Sequence, residues 1–145
     1  MEDCIICNKH KKNTELMIYR DEYVCVCHYI SNLEGNNNFL GYYFVEMMRH
    51  FDGIQNATEE ELYAMIKVTK RLANALIIKF GGERIYTFVT GDGVKHFHEH
   101  VVIKHNGTPK EYKACRVDEW PEAPRGGYED IVALNKEIKK IMNME

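Results

Sequence analysis

The chain has 145 residues, 45% hydrophobic and 28% charged, with a formal net charge of −3. That balance suits one globular domain over residues 1–145, able to bury its own core. It leaves no general electrostatic pull toward nucleic acid polymers or an anionic membrane, so an anionic substrate must be met by local donors.

In chain order, the start Met1-Glu2-Asp3-Cys4 lacks a basic head followed by an apolar stretch, and no apolar run is long enough for a span. The expected address is cytoplasmic. Five cysteines make an odd count, and structural disulfides are rare in a reducing cytosol. Cys4-Ile5-Ile6-Cys7 is a C-x-x-C pair, whose usual uses are zinc binding or thiol redox chemistry. It opens a short knuckle from Cys4 to Lys12 that ends in a basic turn.

Leu16–Tyr19 and Tyr23–Ile30 read as strands flanking the turn Arg20-Asp21-Glu22. Cys25 and Cys27 alternate within the second and read as small core residues. A polar loop over Asn32–Asn38 precedes an aromatic and aliphatic strand, Phe39–Met47. Thr58-Glu59-Glu60-Glu61 is a capping box. Leu62, Met65, Ile66, Thr69, Leu72, Ala73, Leu76 and Phe80 follow at helical spacing, and Gly81-Gly82 supplies the stop. A helix is predicted at 59–80. Strands are predicted at Arg84–Thr90 and Lys95–Lys104, around the turn Gly91-Asp92-Gly93. Residues 106–127 hold all three prolines and read as irregular, and a second helix follows at Tyr128–Met142. The order argues α+β, with helices on one face of an antiparallel sheet.

His96-Phe97-His98-Glu99-His100-Val101-Val102 carries the chemistry. Alternate residues of a strand share a face, so the three histidines line up with neighbouring Cβ atoms roughly 7 Å apart. Three imidazoles in that phase suit either a metal cluster or a division of labour among ligand, nucleophile and phosphate contact.

This run resembles the histidine-triad signature, in which three histidines alternate with apolar residues. The long helix before it and the turn Gly91–Val94 are matched too. Leu40–Glu46, running on to Arg49-His50, is similar to the family's strand before an upstream histidine. Val117–Gly127 looks like the tail of a bacterial and archaeal subgroup described as diadenosine-polyphosphate hydrolase-like. The resemblance implies an α+β histidine-triad-like fold, with an antiparallel sheet, the long mid-chain helix and a C-terminal helix. It implies an enzyme, a nucleoside phosphate hydrolase or nucleotidyl transferase working on phosphoric anhydrides. His98 would attack the α-phosphorus to form a nucleotidyl-histidine, steadied by the His96 carbonyl, and water would release a nucleoside monophosphate. His100, the amides of the Gly91–Gly93 turn and Lys95 would meet the phosphates; His28 adjoins the nucleotide pocket. The alternative is a zinc-containing nucleotide-binding protein without turnover.

Three positions depart from the pattern. Glu99 stands where the family keeps an apolar residue, Gly93 where many relatives carry a serine, and Tyr29 where the commonest branch has an aspartate. Cys4, Cys7, His50 and His96 form a Cys2His2 set suited to tetrahedral, structural zinc. Zinc-bearing relatives use the matching residues. Trp120 and Arg125 lie in the proline-rich loop, the first expected to pack and the second to reach a distal phosphate or solvent. Val68, Ala75 and Ile78 fall off the main stripe of the 59–80 helix, which, with Glu99 on the back of its strand, suggests a homodimer.

Overall fold

The computed structural model describes residues 3–144. A five-stranded antiparallel sheet has the order β1-β2-β4-β6-β5, formed by Met17–Arg20, Val24–His28, Tyr42–Met47, His98–Lys104 and Arg84–Phe88 respectively. Two-residue strands β3 (Asn38–Phe39) and β7 (Arg125–Gly126) make a separate pair. Helices α1 (Ile5–His10), α2 (Glu59–Phe80) and α3 (Tyr128–Asn143) complete the domain. No helix among the described residues is long and apolar enough to cross a membrane.

The sheet's two faces have different tasks. Val45 and Tyr43 on β4 alternate with Glu46, Phe44 and Tyr42, and the β4–β6 register sets Glu46 opposite His98 and Phe44 opposite His100. Alternation therefore sends Tyr42, Phe44, Glu46, His98 and His100 to one face. The other face carries the core of Val24, Val26, Tyr43, Val45, Val101 and Ile103, covered by Leu72, Leu76 and Ile138 of the long helices.

Helix α2 begins and ends where the sequence predicts. Glu61 N donates to Thr58 Oγ1 at 3.1 Å, Thr58 N donates back to Glu61 Oε1 at 2.8 Å, and Gly81 closes the helix in the left-handed region at φ 64°. Its buried face is wider than the predicted stripe, because α2 packs against α3 as well as the sheet. Val68 and Ala75, expected outside, are buried, whereas Ile66, expected inside, is 58% exposed. Glu99 lies beneath α2 and accepts from Thr69 Oγ1 at 2.6 Å, so its partner comes from its own chain. Burial raises its carboxyl above the ordinary range, and the Thr69 hydroxyl works against that rise.

Four predicted elements differ. The strand over 39–47 is broken at Gly41, where φ is 101° and an added Cβ would lie 2.4 Å from Ile103 Cγ2, so β3 leaves the main sheet. Within residues 4–12 the chain forms the short helix α1 capped by Cys4, and residues 114–119 form a 3-10 helix inside the proline-rich segment. The third strand of the motif starts at His98 rather than Lys95. There the His96 ring takes the ladder's place, with Nε2 2.6 Å from the Met47 carbonyl.

Candidate active site and metal centre

The three histidines diverge. His98 and His100 project from β6, and His96 sits in the bend before it. His98 Nδ1 donates to the His96 carbonyl at 2.6 Å. That bond places the ring proton on Nδ1 and leaves the lone pair on Nε2. His98 lines a cavity of about 330 Å³ whose wall includes Ile5, Ile6, Leu16, Ile30, Phe44 and Val94. Its ring packs edge-on against Phe44, with centroids 5.4 Å apart.

His100 stacks on Phe88 at 4.6 Å, and its Nδ1 lies 2.7 Å from the Tyr42 hydroxyl. Burial, helped by neighbouring His98, lowers His100 to about 4, so the ring is neutral near pH 7. Burial likewise pushes the Tyr42 hydroxyl well above its ordinary range, leaving it protonated as the donor. The remaining proton of His100 then belongs on Nε2, a buried atom without a hydrogen-bond partner. An orphaned buried N–H of this kind costs free energy unless something accepts from it.

The expected metal ligands converge from three segments. Cys4 Sγ and Cys7 Sγ each lie 3.4 Å from His96 Nδ1, Cys7 Sγ lies 3.4 Å from His50 Nδ1, and the two Nδ1 atoms are 3.2 Å apart. A tetrahedron with ordinary zinc–sulfur and zinc–nitrogen bonds has edges of about 3.3–3.7 Å, so the four atoms fit a zinc ion closely. His96 is prepared for this. Its Nε2–H donates to the Met47 carbonyl, which leaves Nδ1 unprotonated and aimed at the cluster. His50 is placed by Arg49, whose guanidinium bonds both Glu61 oxygens at 3.0 and 2.8 Å and stacks over Phe51.

The remaining predicted residues are spread more widely. Gly93 and Lys95 border a second cleft of about 550 Å³, together with Cys4 and His50, and only Ile5 and Val94 belong to both cavities. Gly91 has φ 70°, and the Lys95 ammonium donates to its carbonyl at 3.0 Å. His28 touches the His98 cavity, but its ring nitrogens are occupied. Nδ1 lies 2.5 Å from the Tyr29 carbonyl, and Nε2 accepts from Gly41 N at 3.0 Å. It ties two strand ends together while lining the cavity, with no ring N–H left to donate to a substrate. Arg125 is half-buried and turned back onto its own loop. Its guanidinium donates to the carbonyls of Asp118 and Trp120, both at 2.6 Å, and Trp120 packs against the core.

Sequence reasoning missed the polar cluster beside this cavity. Glu46, fully buried, receives the Lys9 ammonium on one oxygen and faces His10 Nε2 at 3.0 Å on the other. Burial alone would raise the Glu46 carboxyl; His10 and Lys9 outweigh it and hold the group below its ordinary range. The available signal was a carboxylate in phase with Tyr42 and Phe44 on a strand otherwise built of apolar and aromatic residues.

The fold is that of histidine-triad proteins of known structure. The chain superimposes on a Hit-like protein involved in cell-cycle regulation from Bartonella henselae (TM-score 0.70, 17% identity, covering 97% of this chain and 98% of that one). A zinc-bound histidine triad family protein from Mycobacterium smegmatis matches with TM-score 0.71 and 17% identity over 99% and 95%. A diadenosine triphosphate hydrolase from Plasmodium falciparum matches with TM-score 0.64 and 11% identity over 92% and 80%. No family profile and no curated protein matches the sequence itself. The chain has the histidine-triad fold.

Proposed function

We propose that the chain is a histidine-triad hydrolase or nucleotidyl transferase acting on a phosphoric anhydride of a nucleoside, such as a dinucleoside polyphosphate, through a nucleotidyl-histidine intermediate. The observation that carries this reading is the His98 ring, with its proton committed to the His96 carbonyl and its Nε2 lone pair free beside a mainly apolar cavity.

In the first step the lone pair of Nε2 forms a bond to the α-phosphorus. The phosphorus–oxygen bond to the leaving phosphate breaks, and that oxygen takes the electron pair. The ring becomes cationic, and its Nδ1–H···O=C bond to His96 strengthens as charge develops. His100, neutral and carrying hydrogen on Nε2, donates to a phosphoryl oxygen. A phosphate leaving group needs no proton from it. Water then adds to phosphorus and gives up a proton to solvent, the phosphorus–nitrogen bond breaks with its electron pair returning to Nε2, and a nucleoside monophosphate leaves. Gly93 supplies no hydroxyl, so donors from the Gly91–Gly93 turn are limited to backbone amides, with Lys95 at the cleft beyond.

Cys4, Cys7, His50 and His96 would hold zinc in a structural role, since a filled tetrahedral site leaves no position open for substrate. The fold shared with a zinc-bound histidine triad protein supports this, and the fold shared with a diadenosine triphosphate hydrolase supports the reaction class. Mass spectrometry of the intact chain, quenched shortly after mixing with dinucleoside polyphosphates, tests the reading. An adduct of one nucleoside monophosphate, absent in His98→Ala, is expected. Nucleotide binding without an adduct would make the chain a non-catalytic zinc-containing sensor.

A further inference from the structure

The cavity that starts at His98 has a charged group at its far side. Lys9 Nζ donates to Glu46 and to Cys27 Sγ at 3.3 Å, and stands 5.6 Å from the centre of the Phe44 ring. Around it the wall is apolar, made by Ile6, Leu16 and Ile30. The Lys9 side chain keeps 32% of its surface exposed, whereas Glu46 keeps almost none. An ammonium has three N–H donors. Two are directed at Glu46 and Cys27, which leaves one for whatever fills the cavity. Both Glu46 oxygens are engaged, by Lys9 and His10, and the carboxylate itself is almost wholly buried, so Lys9 is the charged group the cavity presents.

Sheet order fixes how far Lys9 is from the chemistry. Cys27 lies on β2 and His98 on β6, with β4 between them. Lys9 bridges Glu46 on β4, opposite His98, and Cys27 one strand further, so its ammonium stands between one and two interstrand spacings, about 5–10 Å, from the strand of the nucleophile. The apolar wall around it suits the flat faces of a base better than a phosphate, so a nucleotide attacked by His98 brings its base against Lys9.

Resting on the nucleotide reading above, we propose that Lys9 reads the base and that 6-oxopurine nucleotides, those of guanine or hypoxanthine, are the preferred substrates. Lysine only donates. Guanine and hypoxanthine present two neighbouring acceptors, O6 and N7, on one edge. Adenine replaces O6 with an amino group, a donor facing a donor. Cys27 and Glu46 act through Lys9: they orient the ammonium and do not touch the base.

Calorimetric titration of the zinc-loaded protein with GMP, IMP and AMP tests this without turnover. GMP and IMP should bind about tenfold or more tighter than AMP, the discrimination expected of a good base contact. Lys9→Met should remove the preference by weakening GMP and IMP while leaving AMP nearly unchanged, and Lys9→Arg should keep it. If removing the Lys9 charge beside Glu46 unfolds the single variant, Lys9→Met/Glu46→Gln with normal zinc content carries the same comparison. Equal affinities in the wild type overturn the assignment. So does an equal loss for all three nucleotides in the methionine variant, which would make Lys9 a phosphate contact. If none of the three binds, the nucleotide reading itself fails, and this result is distinct from binding without preference.

Discussion

His96 and His98 are joined ring to backbone: Nδ1 of His98 lies 2.6 Å from the carbonyl oxygen of His96, while the His96 ring faces the two cysteines and His50. One residue thus joins the candidate metal ligands through its side chain and sets the tautomer of its neighbour through its main chain. Removing the His98 ring should abolish the chemical step and spare the fold, since Ile103, Val101 and the α2 contacts lie on the opposite face. His98→Ala is expected to lower kcat by at least about a thousandfold, as loss of a covalent nucleophile does. Steady-state hydrolysis of dinucleoside polyphosphates measures it, with circular dichroism confirming the fold. A folded variant with substantial activity would refute the nucleophile assignment.

Metal removal should act first on α1. That helix has only six residues, too few to persist alone, and its N-cap is the ligand Cys4. It carries Ile5, Ile6 and Lys9 into the cavity wall. Elemental analysis of protein purified without chelator should find about one zinc per chain. Stripping it, or replacing Cys7 with serine, should lower Tm by about 10 °C and weaken nucleotide binding as α1 loosens. Unchanged melting after complete chelation would count against a structural metal.

How much could be read beforehand depended on how local each signal was. The limits of α2 were legible because a capping box and a left-handed glycine act within one turn. The alternation of His98 and His100 was legible because a strand has period two. The metal set was visible only through the family resemblance, since Cys7 lies 43 residues from His50 and 89 from His96. Lys9, His10 and Tyr42 gave no local sign. Lys9 and His10 meet Glu46 across 37 and 36 residues, and Tyr42 meets His100 across 58, contacts that exist only after α1 has docked and the strands have paired. The break at Gly41 was hidden for the same reason, because Ile103 on a neighbouring strand demands it.

Acid should destabilise the protein through His28. Burial lowers this histidine from 6.5 to about 4, with the Tyr29 carbonyl opposing. Between those values the unfolded chain binds a proton that the folded chain refuses, so stability rises with pH across the window. The contribution is full above about 6.5 and is lost as pH falls toward 4, amounting to roughly 3 kcal/mol. His100 adds to the loss in the same window. Glu46, held below the ordinary carboxylate range, extends it to lower pH. Thermal melts between pH 4 and 7 should show Tm falling with acidity. His28→Gln keeps a donor and an acceptor but cannot titrate, so its slope should be shallower than that of the wild type. Equal slopes would place the acid sensitivity elsewhere.

We propose that the protein works as a homodimer through α2, with a contact set that only partly coincides with the residues the sequence suggested. Val68 and Ala75 are buried and Glu99 is satisfied by Thr69, so these three do not call for a partner, whereas Ile78, the third residue of that set, is 59% exposed as expected. The side of α2 that carries Leu62, Ile66, Ala73 and Ile77 is better suited. These residues repeat at helical spacing; Ile66 is 58% exposed and the other three are half-buried. Next to them β5 is the outermost strand, with no further strand of the described chain paired to its free edge, and Val89 just beyond it is 46% exposed. An unpaired edge beside an apolar helix face favours a symmetric, strand-to-strand contact with a second copy. Light scattering at micromolar concentration should give about 34 kDa, twice the 17.0 kDa chain. Ile66→Glu places a charge on each side of a twofold contact and should shift the mass to that of the single chain without lowering zinc content. A wild-type mass near 17.0 kDa would refute the dimer; a dimer unaffected by Ile66→Glu would place the interface on another face.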